Sequence, residues 1–346
     1  MKTKLLIIGA VPHANDKSSY GGTTTLMQNF IDYCDEHHYS YYHIDTLKYN
    51  NKIINLLHFG FSFLWGLMTC KIVMFNVSKN GAFTLFYNLA PLCYFLKKKV
   101  VFRKYAGYFL RQLEECPTKK RIRMVKLLNR ASIVYFETKQ MMSEAPKLFR
   151  HPERIVWFPN CRKPESDSII GNEYQRRFVF ISRIQELKGV DILLEVAERL
   201  PKSYTIDIYG PLADEKYKQL NYFNGKRANY CGALKSEEVL AILKQYDVLV
   251  LPTCFKTEGY PGIIIEAMSV GMPIIASRIG GIPEMVTDGE NGLLLEPGNA
   301  DALYKAILDF DKSKFEMMSQ RSLLRFDNNY NSDVINEKVY NKMVNL

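Results

Sequence analysis

Short apolar runs rich in β-branched and aromatic residues alternate, twice over, with longer stretches of helical period. That alternation admits few folds other than parallel sheets wound on both faces. In the first half the runs fall at 4–9, 41–45, 71–76, 99–103, 132–136 and 154–158. In the second they fall at 177–182, 204–209, 228–231, 247–251 and 273–276, with helices predicted at 188–200, 236–246 and 262–270. Leu5–Ile8 is apolar without alternation, as a strand buried on both faces is. Ser236 reads as the N-cap of the second of those helices, with acidic residues in its first turn. The stretch Pro159–Gln175 is polar, carries two prolines and separates the two patterns, so it reads as the linker.

A chain of 346 residues is long enough for two domains of similar size, each burying its own core. The expected architecture is α/β, two Rossmann-like doubly wound domains at 1–160 and 175–315. Their ligands bind in a cleft beyond the carboxyl ends of the strands. Residues 316–346 are expected to form a helical segment that packs back on the first domain.

Charge divides the halves: residues 1–160 hold 23 Lys and Arg against 10 Asp and Glu, and residues 161–346 hold 23 against 26. The first half therefore faces something anionic, or simply carries a solvated basic surface. Nucleic acid is the poorer partner, because the chain has no ribonucleoprotein motif or zinc module. The basic runs Lys97–Lys99 and Lys119–Arg123, with Lys126 and Arg130, suit anionic lipid headgroups. Ile53–Met68 is mostly apolar but shorter than a membrane span, and reads first as a buried helix and second as an interfacial membrane contact. Seven cysteines without a CxxC pair and no convincing signal peptide imply a reduced, cytoplasmic setting, with attachment at the inner face of the cytoplasmic membrane as an extension.

Several chemistries lose support from missing motifs. No strict GxGxxG follows either first strand, and there is no Walker A sequence, GxSxG elbow or HExxH. All six histidines precede residue 152, none at zinc-ligand spacing with cysteines, so no metal and no cofactor is expected.

The most informative run is Glu258-Gly-Tyr-Pro-Gly-Ile-Ile-Ile-Glu266-Ala-Met-Ser-Val-Gly-Met-Pro-Ile-Ile-Ala-Ser277, continuing through Gly280-Gly-Ile-Pro-Glu284 to Asp288-Gly-Glu-Asn-Gly292. Physically it is a strand end, a Gly-Pro turn and a helix start. Glu258 precedes the helix and Glu266 lies inside it, so the two carboxylates can face a single ligand. The first amides of that helix, at Gly262 and Ile263, are donors for an anion. Earlier, Ser182-Arg183-Ile-Gln-Glu-Leu-Lys188-Gly189 places an Arg and a Lys five apart on a loop leading into a helix. Gly21-Gly22, after the first strand, opens another helix.

These residues resemble glycosyltransferase family 4, whose members carry two glutamates in a context of EGxP, EAM and GxPxxAS. The resemblance implies the GT-B fold and a retaining, metal-independent transfer of a hexose-type sugar from a nucleotide diphosphate donor. The acceptor it implies is a glycan or lipid-linked glycan, a precursor of capsule, exopolysaccharide or lipopolysaccharide. Glu258 would then contact hydroxyls of the donor sugar and Glu266 the ribose. Arg183 and Lys188 would grip the diphosphate, offsetting charge on the leaving nucleotide. Gly21 and Gly22 would close over the phosphates, and the loops at Gly210 and Cys231-Gly232 would border the base. Family members often place a histidine where this chain has Val100-Val-Phe-Arg103-Lys104. Arg103 stands as the substitute, binding an anionic acceptor or the donor phosphates, with His13 as a second choice. That departure leaves two other readings open, a GT-B protein that binds nucleotide without turnover and a nucleotide-sugar epimerase.

Overall fold

Each half of the chain builds one parallel sheet from its apolar runs. The computed structural model describes residues 4–13, 22–49, 51–105, 109–219 and 221–346. The first sheet contains β1 Leu5–Ile8, β2 Tyr41–Ile44, β3 Ile72–Val77, β4 Lys99–Lys104, β5 Ile133–Phe136 and β6 Ile155–Trp157, in the order β2-β1-β3-β4-β5-β6. The second contains β7 Arg177–Ile181, β8 Thr205–Tyr209, β9 Asn229–Tyr230, β10 Val248–Leu251, β11 Ile274–Ser277 and β12 Gly292–Leu295, in the order β12-β11-β10-β7-β8-β9. The winding direction reverses between β1 and β3 in one sheet and between β7 and β10 in the other. At such a reversal the loops leaving the two strands part, and a crevice opens at their carboxyl ends.

β12 is absent from the sequence reading. Its four residues Gly-Leu-Leu-Leu are too few for periodicity to tell strand from helix, and it is the pairing of Ile274–Ser277 with Gly292–Leu295 that makes it a strand. The N-cap before residue 239 also shifts: it falls on Lys235, whose amide donates to Glu238 Oε2 at 2.7 Å, and Ser236 is already inside the turn.

The chain divides into a unit of residues 1–161 with 332–346 and a unit of residues 162–331. The first crossing therefore lies at 161/162, and the expected linker is part of the second unit from Arg162 onward. Its Ile169 is buried and donates its amide to Val270 O, while buried Asp247 accepts from the amides of Gln175 and Arg177. The return lies at 331/332 rather than at 316. Helix Lys312–Asn329 packs on helix Gly262–Ser269 and buries Phe315, Met318 and Phe326 in the second unit. Only helix Ser332–Val344 joins the first unit, where Tyr340 stacks on Tyr39 with ring centroids 3.6 Å apart and Tyr135 donates to Val339 O.

In the first unit, helices Gly22–Glu36 and Ser332–Val344 cover one face of the sheet. Helices Lys52–Thr69, Tyr87–Phe95 and Thr118–Arg130 lie on the other. Lys52–Thr69 departs from the expected buried helix. Only Ser62, Phe63, Gly66 and Leu67 are buried, while Ile53, Leu57, Phe61, Leu64 and Met68 stand exposed. Gly66 permits even that contact, since a Cβ there would lie 2.8 Å from both terminal methyls of Leu6. Gly66→Leu should lower stability by about 1–3 kcal/mol through overpacking, measured by urea denaturation. Gly60→Ala on the same helix, whose Cβ meets nothing within 4 Å, should be neutral or stabilising by up to ~1 kcal/mol.

Candidate functional site

In the second unit the loops after β7 and β10, the two strands at the reversal, carry the predicted residues. Strand β7 ends at Ile181, and a loop holding Arg183 runs into the turn Glu186–Lys188 and then helix Val190–Arg199. Strand β10 ends at Leu251, and residues 252–261 lead from it into helix Gly262–Ser269. Because β7 and β10 pair in parallel, both loops leave the same edge of the sheet. Lys188 and Glu258 meet there: Nζ donates to Oε2 at 2.5 Å, and the two side chains are 9% and 12% exposed. Thr253, fully buried, places its hydroxyl 3.3 Å from the same carboxylate oxygen and 3.2 Å from Leu187 O. A carboxylate held by an ammonium and a hydroxyl in so little water keeps a fixed orientation.

The backbone of Glu258 is fixed as well. Its carbonyl accepts from the amide of Gly281 at 2.9 Å. Gly280 sits at φ +56°, and a Cβ on it would lie 2.2 Å from Glu258 O. The Gly-Gly pair in the run at 280 is thus a seat for the Glu258 loop.

Glu266, on the second turn of its helix, accepts from Arg162 Nε at 2.7 Å, and both side chains are mostly buried. Arg162 is held in turn by its amide bond to Tyr330 O. The sequence reading left Arg162 in the linker. Nothing local marks it, since its partner lies 104 residues away. Thr253 was missed in the same way, as an ordinary residue two positions past a strand.

Arg183 is exposed and, among the described residues, makes no ion pair or hydrogen bond. It stands as a free cation on the loop whose other cation, Lys188, is already paired. Helix Gly262–Ser269 has Pro261 at its cap position with no side-chain cap, so the first-turn amides at Gly262 and Ile263 lack in-helix acceptors. Arg183 and these amides put positive potential at one edge of the sheet, on the loops and helix that also carry the Lys188–Glu258 pair and Glu266. Such a set can hold a diphosphate and fix polyol hydroxyls.

Gly210 follows β8 at φ +145°, where a Cβ would lie 1.7 Å from Ser182 O, and its amide donates to Gly232 O at 2.8 Å. The loops at Gly210 and Cys231-Gly232 are therefore joined to each other and to the start of the Arg183 loop. A half-buried chain of side chains lies beside them: Tyr246 donates to Asp207 at 2.6 Å and lies 3.0 Å from the Tyr209 hydroxyl. Burial, reinforced by the hydrogen bond to Asp207, pushes the Tyr246 hydroxyl well above the usual phenol range.

In the first unit, Gly21 lies outside the described residues, and Gly22 is the first residue of helix Gly22–Glu36. Arg103 is not available as expected. It is 2% exposed, with its guanidinium 3.3 Å from the centroid of the Phe158 ring and 4.6 Å from that of Tyr105. On strand β4 it points into the sheet face that contains Val101, because strand side chains alternate. It is a stacked core arginine that meets no solvent-borne ligand in this conformation. His13 pairs with Asp45 at 2.8 Å. At the reversal between β1 and β3 a cavity of about 590 Å³ opens, lined by Gly9 and Asn76 from the strand ends, Thr24, and Lys52, Leu56 and Phe59 of helix Lys52–Thr69. Among the described residues, no group of three or more His, Cys, Asp or Glu could hold a metal ion.

Residues 175–311 match the family model described as glycosyl transferases group 1. An uncharacterized glycosyltransferase of Methanocaldococcus jannaschii is 32% identical over 146 residues, 41% of this chain and 40% of that protein. A 41.2 kDa protein in the cps region of Klebsiella pneumoniae is 24% identical over 86% of this chain and 80% of its own length. A putative colanic acid biosynthesis glycosyltransferase of Salmonella typhimurium is 28% identical over 46% of this chain and 43% of that one. The chain spans 40%, 24% and 36% of the first three curated relatives it matches. Among solved structures, Anabaena HepE in complex with UDP superposes with a TM-score of 0.74 at 16% identity, covering 99% of this chain and 100% of that one.

Proposed function

We propose that the chain, whose residues 175–311 match the glycosyl transferases group 1 model, is a retaining glycosyltransferase of the GT-B type. It takes a sugar from a nucleotide diphosphate donor and places it on a precursor of a surface polysaccharide. The observation that carries this reading is the Lys188–Glu258 pair at the reversal between β7 and β10, beside the unpaired Arg183 and the open helix start at Gly262. The solved neighbour that binds UDP supports a nucleotide donor, and the relative named for colanic acid biosynthesis supports a polysaccharide acceptor.

In this mechanism the donor diphosphate lies against the amides of Gly262 and Ile263, with Arg183 and Lys188 around it. As the anomeric C–O bond lengthens, negative charge grows on the β-phosphate oxygen. Cations and dipoles already in place stabilise it, so no metal need supply that charge. Glu258, turned by Lys188 and Thr253, accepts hydroxyls of the donor sugar and so fixes the sugar's pose. Glu266 accepts the ribose hydroxyls while Arg162 holds its carboxylate. The cavity at the reversal between β1 and β3 receives the acceptor, with Leu56 and Phe59 as its apolar wall.

The test is a thermal-shift series with UDP, GDP, ADP and their sugar conjugates in EDTA, on wild type, Glu266→Ala and Glu266→Gln. One nucleotide family should stabilise the wild type, by roughly 2.7 kcal/mol at a hundred times its dissociation constant. The ligand-induced shift should fall sharply in both variants, although Glu266→Gln keeps an acceptor for Arg162. No shift with any nucleotide would overturn the donor site. Binding without sugar transfer to isolated lipid-linked glycans would reduce the chain to a nucleotide-binding GT-B protein.

A further inference from the structure

We propose that the outer face of the helix layer Lys52–Thr69, Tyr87–Phe95 and Thr118–Arg130 is a docking surface for an anionic lipid bilayer, with helix Lys52–Thr69 lying in the interface. This goes beyond the donor-site reading and does not depend on it.

The apolar half of the argument is a stripe on helix Lys52–Thr69. Ile53, Leu57, Phe61, Leu64 and Met68 recur at spacings of four and three residues, which sets them on one side of the helix, and all are exposed, Phe61 by 74%. Trp65 lies one position past the stripe and is exposed too. A helix whose apolar side faces away from its own core inverts the usual arrangement, and an apolar patch of this size on a soluble chain marks an interaction site. Lys52 is the only Lys, Arg, Asp or Glu in this helix. Yet among the described residues no helix is long and apolar enough to cross a membrane. Lying on a bilayer is the arrangement left for it.

The charged half identifies the occupant. No Asp or Glu occurs between Asp45 and Glu114. Helix Thr118–Arg130 carries six basic residues and no acidic one. The three helices form one continuous surface. Arg123 stacks on the Tyr87 ring and approaches Tyr87 O, a carbonyl that Pro91 cannot serve because it lacks an N–H. Lys98, just past exposed Phe95, donates to Cys70 O at the end of helix Lys52–Thr69. An apolar strip flanked by basic residues, on three helices that carry no acid of their own, is complementary to anionic headgroups over an acyl layer. The same charge argues against a second copy of the chain, whose matching face would carry the same sign.

The experiment uses the full chain in a Trp157→Phe background, which leaves Trp65 as the single tryptophan. Sedimentation with phosphatidylcholine vesicles is compared with sedimentation on vesicles that also contain phosphatidylglycerol. Binding should require the anionic lipid and weaken with salt, and Trp65 emission should shift to the blue and be quenched by lipids brominated on the acyl chain. Replacing Lys119, Arg121 and Lys126 together by Gln should weaken binding about a hundredfold, about fivefold per charge. Leu57, Phe61 and Met68 changed together to Ser should weaken it by at least about a hundredfold. These positions are exposed or half-exposed, so circular dichroism should show both variants folded. Failure to bind anionic vesicles, or binding with no quenching of Trp65, would overturn the proposal. So would sedimentation of the free chain as a dimer that Phe61→Ser dissociates.

Discussion

Lys188→Met is expected to cost the protein both stability and turnover, and the two losses can be separated. Lys188 and Glu258 are about nine-tenths buried and 2.5 Å apart. Removing the ammonium leaves the carboxylate in a dry site with, among the described residues, the Thr253 hydroxyl as its remaining side-chain partner. Breaking one side of a buried pair costs about 3–5 kcal/mol. In a unit of this size that corresponds to roughly 10 °C in Tm. Turnover should fall about 10²–10³-fold, the scale seen when one donor to a charge-developing oxygen is removed. The double variant Lys188→Met with Glu258→Gln removes both charges, so most of the stability should return while activity stays low. If Lys188→Met kept both its Tm and its kcat, the pair would be neither buried nor functional in solution.

The second large effect is expected at Gly280. A side chain there must adopt a left-handed backbone conformation, which costs roughly 1–2 kcal/mol. Its Cβ would also meet Glu258 O at 2.2 Å and Glu258 Cβ at 3.1 Å. The loop carrying Glu258 has to move, so Gly280→Ala should lower kcat by more than its Tm loss alone explains, and Gly280→Val more so. Gly298→Ala is the control: φ there is +81° and a Cβ would meet nothing within 4 Å. It should show the conformational cost alone, with kcat unchanged. Equal loss of activity in the two alanine variants, measured at a temperature where both are folded, would show that Gly280 acts only through stability.

Much of the candidate site in the second unit is legible in the sequence. Lys188, Glu258, Gly262 and Glu266 belong to loops and a helix start whose character depends on residues close in sequence: a Gly-Pro turn, a helix entry, an apolar strand before each. The winding of the two sheets was legible for the same reason, because alternation between period 2 and period 3.6 is a local property. Contacts across the fold were not. Arg162 meets Glu266 only because residues 162–176 pack along the second unit, and Ile169, buried under Val270, gives little local sign of that. Arg103 reads in sequence as a cation near a strand end. The sheet places it on the inner face, where Phe158 stacks on its guanidinium.

The amphipathic sign of helix Lys52–Thr69 was the hardest to read. Its residues are apolar on nearly every side, so periodicity cannot say which side faces the sheet, and burial was the natural first reading. The contact of Gly66 with Leu6 orients it and leaves Phe61 and Met68 in the open. The sequence by itself determined every strand but β12, their order along the chain and the residue types of the loops after β7 and β10, since hydrogen-bonding period, turn residues and helix starts act over a few neighbouring positions. Only the tertiary structure decided which side chains are dry, which charges pair and which apolar face is left uncovered. Burial and pairing depend on neighbours that the chain brings together from far apart.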